Sequence, residues 1–247
     1  MNDVAAEGDL IARKEGAAGI IRLNRPKAIN AVTLEMFHDI DRALDAFEAD
    51  PEVAVILLEG AGERGLCAGG DIRALWESSK VKGDLGKILW RDEYILNARI
   101  KKFPKPYVAF MDGIVMGGGM GLLQAGTFRI VTPDCRLAMP EVSIGLHTDV
   151  GASWFLPRLP GRLGLFVALT GTQINARDAL DLDLADRCLR EDQQTELLDG
   201  LVQIINSLDF GGMGYAFLVS GDGSQVKRFA PTTKPEELTA EIEALLK

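Results

Sequence analysis

Twice in this chain an apolar strand runs into small residues and then into a helix. The first passage is VAVILLEG followed by AGERGLCAGGDI, and the second is PYVAFMDG followed by IVMGGGMGLL. No other feature narrows the possible folds as much. A helix N-terminus leaves N–H groups without intrahelical partners and carries the positive end of the helix dipole. Glycine lets a ligand atom approach such groups closely. Two of these loops side by side would make an oxyanion hole for a thioester or amide carbonyl. Glycines also permit tight helix–strand packing, and for either loop alone packing is a sufficient reason. A dinucleotide fingerprint does not fit, because Gly117, Gly119 and Gly121 do not give GxGxxG.

The rest of the chain alternates in the same way. DLIARKEG and AGIIRLN predict two strands around a turn at Gly16. Thr33 is placed to cap a helix to Ala49, whose apolar set Leu34, Phe37, Ile40, Leu44 and Phe47 has helical spacing. Further helices are expected over 84–101, at the glycine run, over GASWFLPRL and RLGLFVALTG, at 176–180 and over 192–205. Strands are expected at FRIVTP, CRLAMPE and ADRCL. Strands alternating with helices predict an α/β fold.

Composition removes several function classes. The 247 residues are 47% hydrophobic, enough for one sizeable core. Net charge is −9 with no Lys/Arg cluster, so nucleic acid is not an expected partner. No apolar run approaches the roughly 20 residues of a membrane span, and the N-terminus has no signal-peptide pattern, so no membrane is expected and the location expected is cytoplasmic. Cys67, Cys135 and Cys188 are odd in number and form no CxxC pair. Neither a disulfide framework nor a metal site is therefore expected. Trp76, Trp90 and Trp154 are expected in the core.

Five ordered segments, NRPKAINAVT, CAGGDI, PYVAFMDGIVMGGGMGLL, LAMPEVSIGL and LTGTQINARDAL, make residues 8–205 resemble the crotonase (enoyl-CoA hydratase/isomerase) superfamily. The resemblance implies a spiral of ββα turns and a coenzyme A thioester substrate. It also implies an oxyanion hole from the backbone N–H groups of Gly70 and Gly118. No cofactor is expected, since coenzyme A enters as part of the substrate. Hydratases of this superfamily use two glutamates to activate water. The first falls here on Gly121, which has no side chain, while the second is kept as Glu141. Hydration by the two-glutamate route is therefore disfavoured.

LCAGGDIR, RDEYILN and MPEVSIGLHTDVGASWFLPRL resemble instead the 3-hydroxyisobutyryl-CoA hydrolase branch, which acts in valine degradation. That resemblance gives catalytic roles to Glu141 and Asp149 and a substrate-binding role to Glu93. Glu141 could serve as general base for a water or attack the thioester directly. Taken by itself, Asp149 reads as a helix N-cap, Glu93 as a solvated helix residue, His147 as structural and Cys67 as a small buried residue. Two other readings remain: double-bond isomerisation by Glu141 alone, and a coenzyme A-binding scaffold without turnover.

The crotonase-like pattern covers residues 1–207, and 208–247 form an atypical tail. In the tail, YAFLVSGDGSQVKRFAPTTKPEEL reads as strand, glycine-rich turn, strand and a helix start near Thr233, and resembles the end of bacterial glutathione peroxidases. No peroxidase activity is implied. Such a tail would leave apolar core surface exposed, so a homo-oligomer with a loosely packed tail and weak catalysis is expected.

Overall fold

The N-terminal strands pair in chain order, and the last of them, apolar and buried at five of its six positions, enters the sheet interior. Asp3–Ala5 (β1) pairs with Leu10–Glu15 (β2), which turns back through Gly16 as Ala18–Leu23 (β3). The helix Leu34–Ala49 (α1) starts at Thr33, whose hydroxyl accepts the Met36 N–H at 3.2 Å, and stops at Asp50. Its buried face carries Met36, Phe37, Ile40, Ala43, Leu44 and Phe47. In this computed structural model the described residues are 3–5, 8–189, 216–219 and 226–229.

The spiral then begins. Val55–Gly60 (β4) leads to the helices Ile72–Lys80 (α2) and Leu85–Lys101 (α3). Tyr107–Met111 (β5) and Ile114–Met116 (β6) lead to Gly118–Gln124 (α4). Phe128–Val131 (β7) and Arg136–Ala138 (β8) lead to a 3-10 turn at Glu141–Ile144 and then Ala152–Phe155 (α5) and Leu163–Thr170 (α6). Ile174–Asn175 (β9), Ala176–Asp181 (α7) and Arg187–Cys188 (β10) follow. The main sheet has seven strands in the order β1-β2-β3-β4-β5-β7-β10, and a second sheet has the order β6-β8-β9. Main-sheet pairing is parallel from β3 onward, and β5 is buried at every position, as a strand covered on both faces should be.

Each turn lays one segment in each sheet and ends in a helix or 3-10 turn. Residues 65–67 bridge to 113–115, so they play in the first turn the part that β6 and β8 play in the next two. These short segments run side by side. The three N-termini that follow them, after Gly70, at Gly118 and at Glu141, therefore come to one level. This is the α/β spiral of ββα turns expected. The sequence does not announce the strands β6 and β9, which have three and two residues and too little length for a period.

Two expectations are corrected here. Trp76 and Trp154 are not core residues but 57% and 52% exposed, with Lys80 over the first ring and Arg158 and Lys101 near the second. Trp90 alone packs partly against the core. Among the described residues no helix is long and apolar enough to cross a membrane. By contact the chain falls into two compact units, Met1–Glu191 and Asp192–Lys247. In the second, Ala216–Val219 (β11) and Val226–Phe229 (β12) form the antiparallel pair expected of the tail. The expected border near 207, the helix over 192–205 and the helix from Thr233 lie outside the described residues.

Candidate active site

The two glycine passages meet backbone to backbone. The chain after 65–67 turns through Gly69, at φ 105°, and reaches α2 at Asp71, whose side chain caps the Ala74 N–H at 3.1 Å. The chain after β6 turns through Gly117, at φ 52°, into α4. A side chain at Gly69 would begin 3.1 Å from the Met116 carbonyl oxygen and 3.5 Å from the Gly118 nitrogen. One at Gly118 would begin 3.4 Å from the Gly70 nitrogen. The positive φ at Gly69, with the Met116 carbonyl so near, calls for a glycine there. Gly118 opens α4, where an N–H has no intrahelical acceptor. The Gly70 N–H has no backbone acceptor among the described residues. Two free donors thus lie side by side at the start of two helices, which suits a developing oxyanion.

Two carboxyl groups lie against these loops, and the charge of a third, Asp149, is felt by both. Glu93 occupies a buried stripe of α3 made otherwise of Leu89, Leu96 and Ile100, and is only 3% exposed. A Cβ on Gly118 would lie 2.6 Å from its Oε1, which has no hydrogen-bond partner among the described residues. Burial, and then the charges of Asp149 and Glu141, push its carboxyl up to about 8. Glu141 starts the 3-10 turn and is 6% exposed. Its Oε1 lies 3.2 Å from where a Gly117 side chain would begin, and its Oε2 is buried without a partner. Burial pushes it up to about 7, with Asp149 adding to the shift and its own backbone N–H and His147 opposing it. Buried carboxyls without cationic partners hold their protons to higher pH because the charged form is desolvated.

Asp149 completes the group. Its Oδ2 accepts a hydrogen bond from the Tyr94 hydroxyl. It does not cap the helix after it: the N-cap of α5 is Gly151, with no side-chain cap, and only the Asp149 carbonyl is engaged there, by the Ala152 N–H at 2.7 Å. The N-cap reading of Asp149 is thereby replaced by a contact toward α3. His147 is exposed on the same loop, and Cys67 is buried below the first loop with its thiol pushed up to about 12 by burial, far from a thiolate nucleophile. All five sequence-derived positions, Gly70, Gly118, Glu93, Glu141 and Asp149, are thus neighbours.

Gly121 shows why the first hydratase carboxylate has no room here. A side chain there would begin 2.7 Å from Asn97 Nδ2 and 2.8 Å from Val150 Cβ. Val150 holds this place at φ 44°, a left-handed conformation that costs a β-branched residue on the order of 1–3 kcal/mol. Both amide atoms of Asn97 are buried without a partner among the described residues. Sequence reasoning singled out none of Tyr94, Asn97 and Val150. Asn97 carried a usable signal, since it lies one helical turn beyond Glu93. Nothing in the local sequence announces a left-handed Val150. Among the described residues no group of three or more His, Cys, Asp or Glu side chains is arranged to hold a metal.

Residues 18–241 match the family described as enoyl-CoA hydratase/isomerase. The chain belongs to that family. It is 45% identical over 199 residues to 3-hydroxyisobutyryl-CoA hydrolase, mitochondrial, of Danio rerio, a match over 81% of this chain and 52% of that protein. To the protein of the same name from Homo sapiens it is 44% identical over 200 residues, again over 81% and 52%. The chain spans about half the length of the curated relatives it matches. Among solved structures, a carnitinyl-CoA dehydratase from Mycobacterium thermoresistibile aligns with TM-score 0.78 and 39% identity, over 97% of this chain and 66% of that one. An enoyl-CoA hydratase from Rhodobacter sphaeroides 2.4.1 aligns with TM-score 0.77 and 37% identity over the same shares. The family's spiral is the fold described above.

Proposed function

We propose that this enoyl-CoA hydratase/isomerase family member hydrolyses a coenzyme A thioester of a short 3-hydroxyacyl group, such as 3-hydroxyisobutyryl-CoA. The exchange at Gly121 carries this reading. The position that would hold the first water-activating carboxylate of a hydratase is filled by Val150 and Asn97, while Asp149, one residue before Val150, joins Glu93 and Glu141. The names of the relatives from Danio rerio and Homo sapiens favour the same chemistry.

In this reading the Gly70 and Gly118 N–H groups receive the thioester oxygen and make its carbon electrophilic. Glu141 removes a proton from a water as the water oxygen bonds to that carbon. The tetrahedral intermediate collapses, the C–S bond breaks, and the proton on Glu141 passes to the departing sulfur. A carboxyl that titrates near neutrality is suited to both transfers. Direct attack by the Glu141 carboxylate, giving a mixed anhydride that water then opens, ends in the same acid and thiol. Glu93, largely protonated at neutral pH, and Asp149 bind the substrate hydroxyl.

Thiol release from 3-hydroxyisobutyryl-CoA tests the reading, with isobutyryl-CoA as the control that lacks the hydroxyl. Faster release from the hydroxylated thioester is the expected result. Equal release would remove the hydroxyl from the specificity, and no release from either would sink the assignment. A single turnover in oxygen-18 water tests the anhydride route, because Glu141 gains label only when water opens the anhydride at the Glu141 carbonyl carbon, whereas attack at the acyl carbon and the general-base route both put the label in the released acid.

A further inference from the structure

Asp149 is a partly exposed residue on a loop, yet contacts at three points fix it and its neighbourhood. Tyr94, 55 residues earlier on α3, donates its hydroxyl to Oδ2. Val150 is wedged over Gly121 on α4 in its left-handed conformation. The Ala152 N–H at the start of α5 ties down the Asp149 carbonyl. Among the described residues no other side chain hydrogen-bonds Asp149. Loop backbone and side-chain torsion are therefore set by different contacts: Val150 and Ala152 place the Cα, and Tyr94 alone orients the carboxylate.

We propose that Tyr94 is a positioning residue for Asp149, its hydroxyl engaging Oδ2 so that Oδ1 is the oxygen presented to the substrate hydroxyl or to water. The inference rests on the hydrolase reading and adds to it a residue outside the five positions that reading uses. A phenol bonded to a carboxylate makes a charge-assisted hydrogen bond, stronger and more directional than a neutral one. Burial, followed by the hydrogen bond and charge of Asp149, raises the phenol above its ordinary range, so it remains protonated and remains a donor at neutral pH. The ring is 42% exposed, so its removal does not hollow the core. An aspartate without this bond keeps its Cα and loses its orientation. Small misplacements of a group that touches substrate are costly to rate.

A double-mutant cycle reads this directly. Thiol release from 3-hydroxyisobutyryl-CoA is measured for the wild type, Tyr94→Phe, Asp149→Ala and the double variant, with a melting curve for each. Tyr94→Phe should melt like the wild type and lower kcat by about tenfold. In the Asp149→Ala background the same change should cost nothing further, because its target is gone. Equal fold-losses in both backgrounds, or no loss in either, would overturn the inference while leaving an active wild type and the hydrolase reading intact. A folded wild type that releases no thiol would overturn both. If Tyr94→Phe melts early, Tyr94→Leu, which keeps an apolar side chain and carries no hydrogen-bond donor, is put through the same cycle with the same criteria.

Discussion

The N–H half of the site is made of backbone and the carboxylate half of side chains, and the two rest on different supports. Gly70 and Gly118 are set by bridges between 65–67 and 113–115, so the pleat of the second sheet decides where their N–H groups lie. Glu93, Glu141 and Asp149 come from α3, a 3-10 turn and a loop, and meet only because each element packs correctly. Two glycines one turn apart on α4 mark the border. A side chain at Gly118 would meet the free end of Glu93, which can swing away. A side chain at Gly121 would meet Val150 at its Cβ, which moves only with its loop. The same residue type thus protects a reactive geometry in one place and a packed one in the other.

The largest expected effect falls on the carboxylate half. Glu141→Gln keeps the shape of the side chain and removes the base or nucleophile, so thiol release should fall by about 10²-fold or more with the melting temperature unchanged. Asp149→Asn should lower turnover by roughly tenfold to a hundredfold, again with an unchanged melt. A change in melt without a change in turnover would return Asp149 to a structural role and remove the main support for hydrolysis.

The two glycines sharpen the comparison. Gly118→Ala should leave stability nearly untouched, displace Glu93 and reduce turnover by about tenfold. Gly121→Ala overpacks the α4–loop contact and should cost about 1–3 kcal/mol in a urea denaturation. If both variants behaved alike, the border drawn between them would be wrong.

The smallest expected effect is on pH dependence. Burial pushes the Glu93 and Glu141 carboxyls up to about 8 and about 7 in the folded chain, above the 4.5 of an ordinary glutamate. The folded state therefore binds more protons than the unfolded state between these values. Stability from these groups is present below about pH 4.5 and is lost as pH rises through 7 and 8. Glu93→Gln should flatten the upper part of this decline in melts taken from pH 5 to 9. An unchanged slope would mean that Glu93 is not the buried acid described.

The two halves also differ in how far they could be read from sequence. The two glycine loops of the N–H half were visible as apolar strand, small residues and helix start, but packing alone explains either loop, and Gly70 and Gly118 were singled out through family resemblance. Much of the frame was legible directly, as with the Thr33 cap and the helical spacing from Phe37 to Phe47. The carboxylate half was legible only through family resemblance. Glu93 looks like an ordinary helix residue until α4 is packed on it, and Asp149 looks like a cap until Tyr94 is found beside it. Val150 was illegible because its left-handed conformation follows from the room that Gly121 leaves, a tertiary cause with no local mark. Trp76 and Trp154 misled because a large apolar ring does not reveal whether a neighbour covers it.

The most direct measurement sets the two possible fates of water against each other in one preparation. Thiol release from 3-hydroxyisobutyryl-CoA and hydration of crotonyl-CoA are followed under identical conditions. With Gly121 filled by Val150 and Asn97, thiol release without measurable hydration is the expected result. Hydration at a rate comparable to thiol release would contradict it, and would mean that Glu141 activates water without the first carboxylate.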